Sequence, residues 1–234
     1  MNILITNDDG ITSSGIVRLA EAALPWGQVT VVAPETQRSA AAHSITLREP
    51  IDLWPHDFPV PGVTALACSG TPADCVRIAL SWMETRFDAV FSGINYGYNI
   101  GSDIQYSATV GAALEAARHG ILSVAFSEPM MPDHAVTDEY LPKLLALALR
   151  TVPVRDEIVN INFPASPCRG ILENRTVSTD SLYRDRYKAV SEDASGRMRL
   201  VVNGVYNETC EEGTDFRALM DHYVSVGRVR NVGS

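Results

Sequence analysis

The first forty residues alternate two kinds of apolar spacing. "NILIT" is a short run rich in β-branched residues with no polar alternation, the pattern of a strand covered on both faces. In the "TSSGIVRLAEAAL" that follows, Ile16, Leu19, Ala20 and Ala23 recur at helical spacing, behind hydroxyl residues able to cap the start. "QVTVVAP" is a second buried run, ended by Pro34. Strand, helix, strand is the unit of a parallel sheet.

Between residues 36 and 67 the pattern lapses, and Pro50, Pro55, Pro59 and Pro61 forbid a long helix. It resumes in "SGTPADCVRIALSWM", where Thr71 can cap, Pro72 takes the first helical position and Asp74 lies three residues after the cap. "FDAVFSG", "ILSVAFS" and "EIVNINFP" read as strands, and "TVGAALEAARHG" and "EYLPKLLALALRT" as the helices between them. Beyond residue 168 the chain is more polar, and Asn203-Gly204 inside "RLVVNGVY" is a hairpin signal. The expected fold is α/β, a doubly wound, Rossmann-like, mostly parallel sheet. Residues 1–165 form its catalytic core, and residues 166–234 a C-terminal extension or hairpin arm within a single domain overall.

A chain of 234 residues with 46% hydrophobic residues can bury a sizeable core. Its net charge of −9 speaks against a nucleic-acid duplex as partner, because phosphate backbones are met by clustered Lys and Arg. A small phosphorylated ligand stays open if a metal supplies local positive charge. Cys68, Cys75, Cys168 and Cys210 form no CxxC pair, no basic-then-apolar leader opens the chain, and no apolar run approaches the ~20 residues of a membrane span. A cytoplasmic protein without membrane contact is expected.

Ligands of open parallel sheets bind beyond the carboxyl ends of the strands. At those ends the sequence sets "NDDG", "ETQRSAAAHS" and "INYGYNIGSDIQYSATVG". Adjacent carboxylates at Asp8 and Asp9 repel unless a cation lies between them. With Ser39 and Asn95 they offer oxygen donors alone, a set suited to Mg2+, Mn2+ or Ca2+. Gly93, Gly97 and Gly101 surround Asn95 and Asn99, and Ser107 and Thr109 open a helix whose N–H groups favour phosphate. His43 divides evenly between surface and site. Taken singly, each is an ordinary turn, loop or cap. Together, metal, glycine-rich loop and helix start describe phosphoryl transfer.

The stretches "ITNDDG", "PETQRSAAAHSITL", "SGTPADCV", "SGINYGYNIGSD", "YSATVGAALEA", "VNINFP" and "EGTDFRAL" run in order from residue 5 to about 219. Together they resemble the stationary-phase survival protein E (SurE) nucleotidases. The resemblance implies a divalent-metal-dependent phosphatase of nucleoside 5′- and 3′-monophosphates, with short polyphosphate cleaved by some members. It implies one Mg2+ or Mn2+ per subunit on Asp8, Asp9, Ser39 and Asn95, and beside such a cation Asp8 or Asp9 would orient the attacking water or accept its proton. His43, Asn99, Ser107 and Thr109 are expected to bind substrate. It also implies a homodimer or homotetramer in which C-terminal segments exchange. Ala40 and Ala108 stand where the family usually has glycine, His222 replaces another glycine, and "GRVRNV" replaces a Thr-Pro-Leu ending.

Rival readings fare less well on the residues. A receiver-type domain needs a phosphorylatable Asp and a Lys at later strand ends, where this chain has Ser92-Gly93 and Ser127-Glu128. A haloacid-dehalogenase-type phosphatase needs Asp-x-Asp, which "NDDG" lacks. A non-catalytic metal- and nucleotide-binding protein remains the alternative.

Overall fold

The buried β-branched runs become the centre of one sheet. Strands β1 (Asn2–Thr6) and β2 (Gln28–Pro34) flank helix α1 (Ser14–Ala23), as the spacing predicts. The computed structural model describes residues 1–131, 133–207 and 209–231. The capping expectation for α1 fails in detail. Ser13 occupies the cap position, but its hydroxyl accepts from Asn7 Nδ2 at 2.8 Å instead of capping the helix. Helix α2 (Pro72–Ser81) begins with the expected capping box between Thr71 and Asp74.

Within the irregular stretch lie two strands the pattern does not reveal, β3 (Leu53–Pro55) and β4 (Thr64–Cys68). β4 reads "TALAC", too short and too poor in β-branched residues to announce itself, yet it pairs in parallel with β2. Then follow β5 (Ala89–Tyr96), helix α3 (Ala108–Ala117), β6 (Leu122–Glu128), helix α4 (Ala135–Ala148) and β7 (Glu157–Asn162).

The α/β layer does not stop at residue 165. β8 (Ile171–Arg175) and the last strand, β13 (Val224–Arg230), complete a nine-stranded sheet in the order β3-β4-β2-β1-β5-β6-β7-β13-β8. β13 runs antiparallel to β7, and helix α5 (Asp215–Met220) leads into it. Between β8 and α5 a ribbon leaves the sheet, made of β9 (Tyr183–Arg184), β10 (Tyr187–Glu192), β11 (Met198–Val202) and β12 (Val205–Tyr206). β10 pairs with β11, and β9 with β12. Asn203-Gly204 therefore interrupts one side of the ribbon and does not form its tip. The tip is the turn around Asp193, whose Oδ1 accepts from the Ser195 N–H at 2.9 Å and the Arg197 N–H at 3.1 Å.

Strand periodicity divides the core. Ile3 and Ile5 face α1 and α4, whereas Leu4 faces α2 and α3 across the sheet. Full burial of such a side chain contributes about 1.5–3 kcal/mol. The strand order reverses between β1 and β5: the chain winds outward from β1 through β2 and β4, and from β5 through β6 and β7. Such a crevice is where doubly wound sheets bind ligands.

Candidate active site

β1 ends at Thr6, and Asp8 and Asp9 follow in the turn that enters the β1/β5 crevice. Asp8 is 4% exposed. Its Oδ1 accepts from the Thr109 hydroxyl at 2.6 Å, and the Thr109 backbone N–H also stabilises the carboxylate. The start of α3 is thus aimed at Asp8. Burial outweighs these bonds and pushes the Asp8 pKa up to about 6, with the neighbouring Asp9 charge adding to the rise. Asp9 lies more open. Its Oδ2 accepts from the Tyr96 N–H at 2.9 Å and its Oδ1 from Gln37 Nε2 at 3.2 Å, yet burial still raises its pKa. Among the described residues neither acid has an ion-pair partner.

Asn95 lies next to Tyr96, whose N–H binds Asp9, at the point where β5 loses regular register with β6 between Ser92 and Asn95. Asn95 Nδ2 donates to the Gly97 carbonyl at 2.7 Å, which leaves Oδ1 as the acceptor end. Ser39 is exposed on the loop after β2, and that loop is drawn in by the Arg38 N–H, which donates to the Asp8 carbonyl at 2.7 Å. Two further bonds hold the loop down. Thr46 donates to the Asp74 carboxylate from its N–H at 3.0 Å and its hydroxyl at 2.7 Å. Asp74 therefore caps α2 and anchors the Ser39 loop at once.

The four substrate-binding candidates take different places. Thr109 is committed to Asp8, and its hydroxyl positions the carboxylate. Ser107 caps α3, its oxygen accepting from the Val110 N–H at 3.1 Å, so its own proton is left to donate. Asn99 faces the ends of β6 and β7: Nδ2 donates to Ser127 Oγ at 2.8 Å and its N–H to Asn162 Oδ1 at 2.8 Å. His43 Nε2 lies 2.9 Å from Glu115 Oε2, on the flank of α3 where Arg77 also reaches Glu115.

Sequence reasoning missed several neighbours. Asn7 is fully buried and ties the acidic turn to α1 through Gly10 and Ser13. Glu128, at the end of β6, is 2% exposed, within 2.7 Å of Arg18 and 3.0 Å of His134, and its charge raises Asp9 further. His134 is thus part of this network. A carboxylate closing a buried strand was the available signal for Glu128.

Two of the atypical residues, Ala40 and His222, stand where the backbone itself favours glycine. Ala40 (φ 57°), Ala42 (φ 53°) and His222 (φ 62°) all adopt the left-handed conformation natural to glycine, at a cost of about 1–2 kcal/mol each. The β-carbon does not forbid that conformation at Ala40. Ala108 sits fully buried in the first turn of α3. The "GRVRNV" ending forms the last residues of β13 and runs to Val232, which lies outside the described residues.

An oxygen-lined acidic crevice at the reversal point of a doubly wound sheet defines a candidate metal-assisted phosphoryl-transfer site. A family model described as "Survival protein SurE" matches residues 3–186. The 5′-nucleotidase SurE of Clostridium botulinum (strain Loch Maree) is 38% identical over 232 residues, covering 97% of this chain and 91% of its own. That of Thermosipho melanesiensis is 36% identical over 233 residues, covering 97% and 90%. The crystal structure of SurE protein from Aquifex aeolicus matches the fold with a TM-score of 0.83 at 31% identity, covering 100% of this chain and 95% of that one. The chain belongs to the SurE family.

Proposed function

We infer that the protein is a metal-dependent phosphatase of nucleoside 5′-monophosphates, with 3′-monophosphates and short polyphosphate as further substrates of the same crevice. The observation that carries this reading is the acid pair. Asp8 is buried beside Asp9, and both pKa values are raised, with no cationic side chain paired to either among the described residues. The donor set fits one Mg2+ or Mn2+: two carboxylates, the exposed Ser39 hydroxyl and the Asn95 amide oxygen. Such a cation, when bound, neutralises the acids, polarises a phosphoryl oxygen and lowers the pKa of a nearby water. The chain's own residues do the rest. Thr109 holds Asp8 where it can accept the attacking water's proton, and Gln37 with the Tyr96 N–H fixes Asp9. The Ser107 hydroxyl is available to a phosphate oxygen, and Asn99 stiffens the loop beneath it.

A homodimer or homotetramer joined through the C-terminal ribbon belongs to the same reading, as does a reducing cytoplasmic setting for four free cysteines. Among the described residues no helix is long and apolar enough to cross a membrane. A receiver-like or purely binding role is not favoured, since the curated relatives are named nucleotidases.

The test is phosphate release from adenosine 5′-monophosphate with Mg2+ or Mn2+, with and without excess chelator, in wild type and Asp9→Asn. Chelation and Asp9→Asn should each lower turnover roughly a hundredfold or more. Full activity in chelator ends the metal reading.

A further inference from the structure

Beside the acidic crevice, on the side of the C-terminal ribbon, lies a second concavity of about 380 Å3. Tyr98, Met130, Met131, Leu182, Tyr183 and Tyr206 line it together with Gly97. The Gly97 carbonyl is the group that accepts from Asn95 Nδ2, so the cavity wall is one hydrogen bond from a candidate metal donor. The rings of Tyr183 and Tyr206 stand 5.3 Å apart at 45°. Tyr206 is 68% and Met130 63% exposed, a large apolar investment for a solvent-facing surface.

We propose that this cavity is the nucleobase platform, with the base seated against Tyr183 and Tyr206 while the phosphate lies at Asp8, Asp9 and Asn95. The proposal rests on the nucleotidase reading and adds to it the part of the substrate that is not phosphate. Volume, aromatic lining and continuity with the Asn95–Gly97 loop each fit a flat ring joined to a phosphate by a sugar. Among the described residues no charged side chain lines the cavity, so a polyphosphate tail has nothing to grip there. The polar side chain at its edge is already engaged. Asn207 Nδ2 donates to the Ser181 carbonyl at 3.2 Å, and Asn207 Oδ1 accepts from the Thr209 hydroxyl at 2.8 Å. Of the three tyrosine hydroxyls, that of Tyr98 bonds the Ala165 backbone and those of Tyr183 and Tyr206 bond each other, so the cavity offers chiefly ring faces and sulfur, a surface that stacks on a base more than it reads its edge. Tyr98 is held neutral, its pKa pushed up to about 12 by burial, so the lining keeps its charge state across working pH.

The test compares kcat/KM for adenosine 5′-monophosphate with that for ribose 5-phosphate, which carries the same phosphate and no base, in the full-length protein with Mg2+ or Mn2+. Wild type should favour the nucleotide. Tyr206→Ala should cut the nucleotide-to-sugar-phosphate ratio about tenfold, the size of one base–aromatic stack, whereas Tyr206→Phe should keep it. An unchanged ratio in Tyr206→Ala overturns the platform, as does a wild type indifferent to the base. If wild type cleaves neither ester, the nucleotidase reading falls by itself. Adenosine binding by saturation-transfer NMR then decides: binding lost in Tyr206→Ala supports the platform, and no binding to wild type ends it.

Discussion

At the scale of the residue, Asp8 carries a conflict between stability and chemistry. Its folded pKa of about 6 lies above the ordinary value of 3.8 because burial disfavours the charge. The folded state therefore holds this proton more tightly than the unfolded state. The resulting stabilisation is complete below about pH 4 and is lost as pH rises through 6. At pH 8 the ionised, metal-free site costs on the order of 2–3 kcal/mol. Metal-free Asp8→Asn should then melt higher than metal-free wild type at pH 8, with the gap narrowing at pH 5. Adding Mg2+ or Mn2+ should raise the wild type and leave the variant nearly unmoved. Thermal melts at two pH values, with and without metal, check all three statements; a less stable Asn variant at pH 8 without metal contradicts them. The acids were legible in the sequence because two adjacent carboxylates closing a buried strand need a reason. The role of Thr109 was only half legible. Its place at a helix start suggested an anion, but which anion depends on a bond between residues 101 positions apart.

Elements meet through glycines whose meaning appears only in three dimensions. Gly15 lets α1 lie against the Ile94 carbonyl of β5, one residue before Asn95. Gly111, inside α3, lets the Ser39 loop pass over the helix: a β-carbon there would stand 2.7 Å from the Ala42 carbonyl oxygen and 2.9 Å from His43 Cα. Both atoms are backbone and cannot rotate away, so Gly111→Ala must lift the loop. The loop is largely exposed, and the overpacking should cost about 1–3 kcal/mol, within what the fold tolerates. Turnover should suffer more, because Ser39 moves with the loop. A drop in kcat/KM of roughly tenfold or more, with far-ultraviolet circular dichroism retained, is the expected result. Lowered stability with unchanged turnover would detach the loop from the chemistry. The helices and central strands were readable because each repeats one spacing over many residues. β4 was not, since five residues of "TALAC" take their strand geometry from β2 alongside. Asp74 was read correctly as part of a cap, yet nothing in "SGTPADCV" says that it also holds Thr46.

For the whole molecule, the parallel half of the sheet follows from alternation, while the last two sheet positions come from residues 171–175 and 224–230, far apart in sequence. The more polar stretch beyond residue 168 thus shares the common core through Ile171, Val224 and Val226 and sends only its middle outward. That middle is the ribbon, and its composition points to assembly. Leu200 is 51% and Val202 64% exposed, on one face of β11, and Tyr187, Val190 and Met198 are exposed as well. Apolar side chains on a two-stranded ribbon have too little sheet behind them to be covered by their own chain. Exchange between identical chains would bury them in a closed interface. The double variant Leu200→Asp with Val202→Asp separates the possibilities, because both positions are open in a single chain and charges there leave its core untouched. If the ribbon joins subunits, wild type should run in light scattering at a multiple of 25.4 kDa, and the variant should fall to one chain with its melting temperature above the assembly step preserved. A wild type that already scatters as a single chain at micromolar concentration removes the ribbon from assembly altogether.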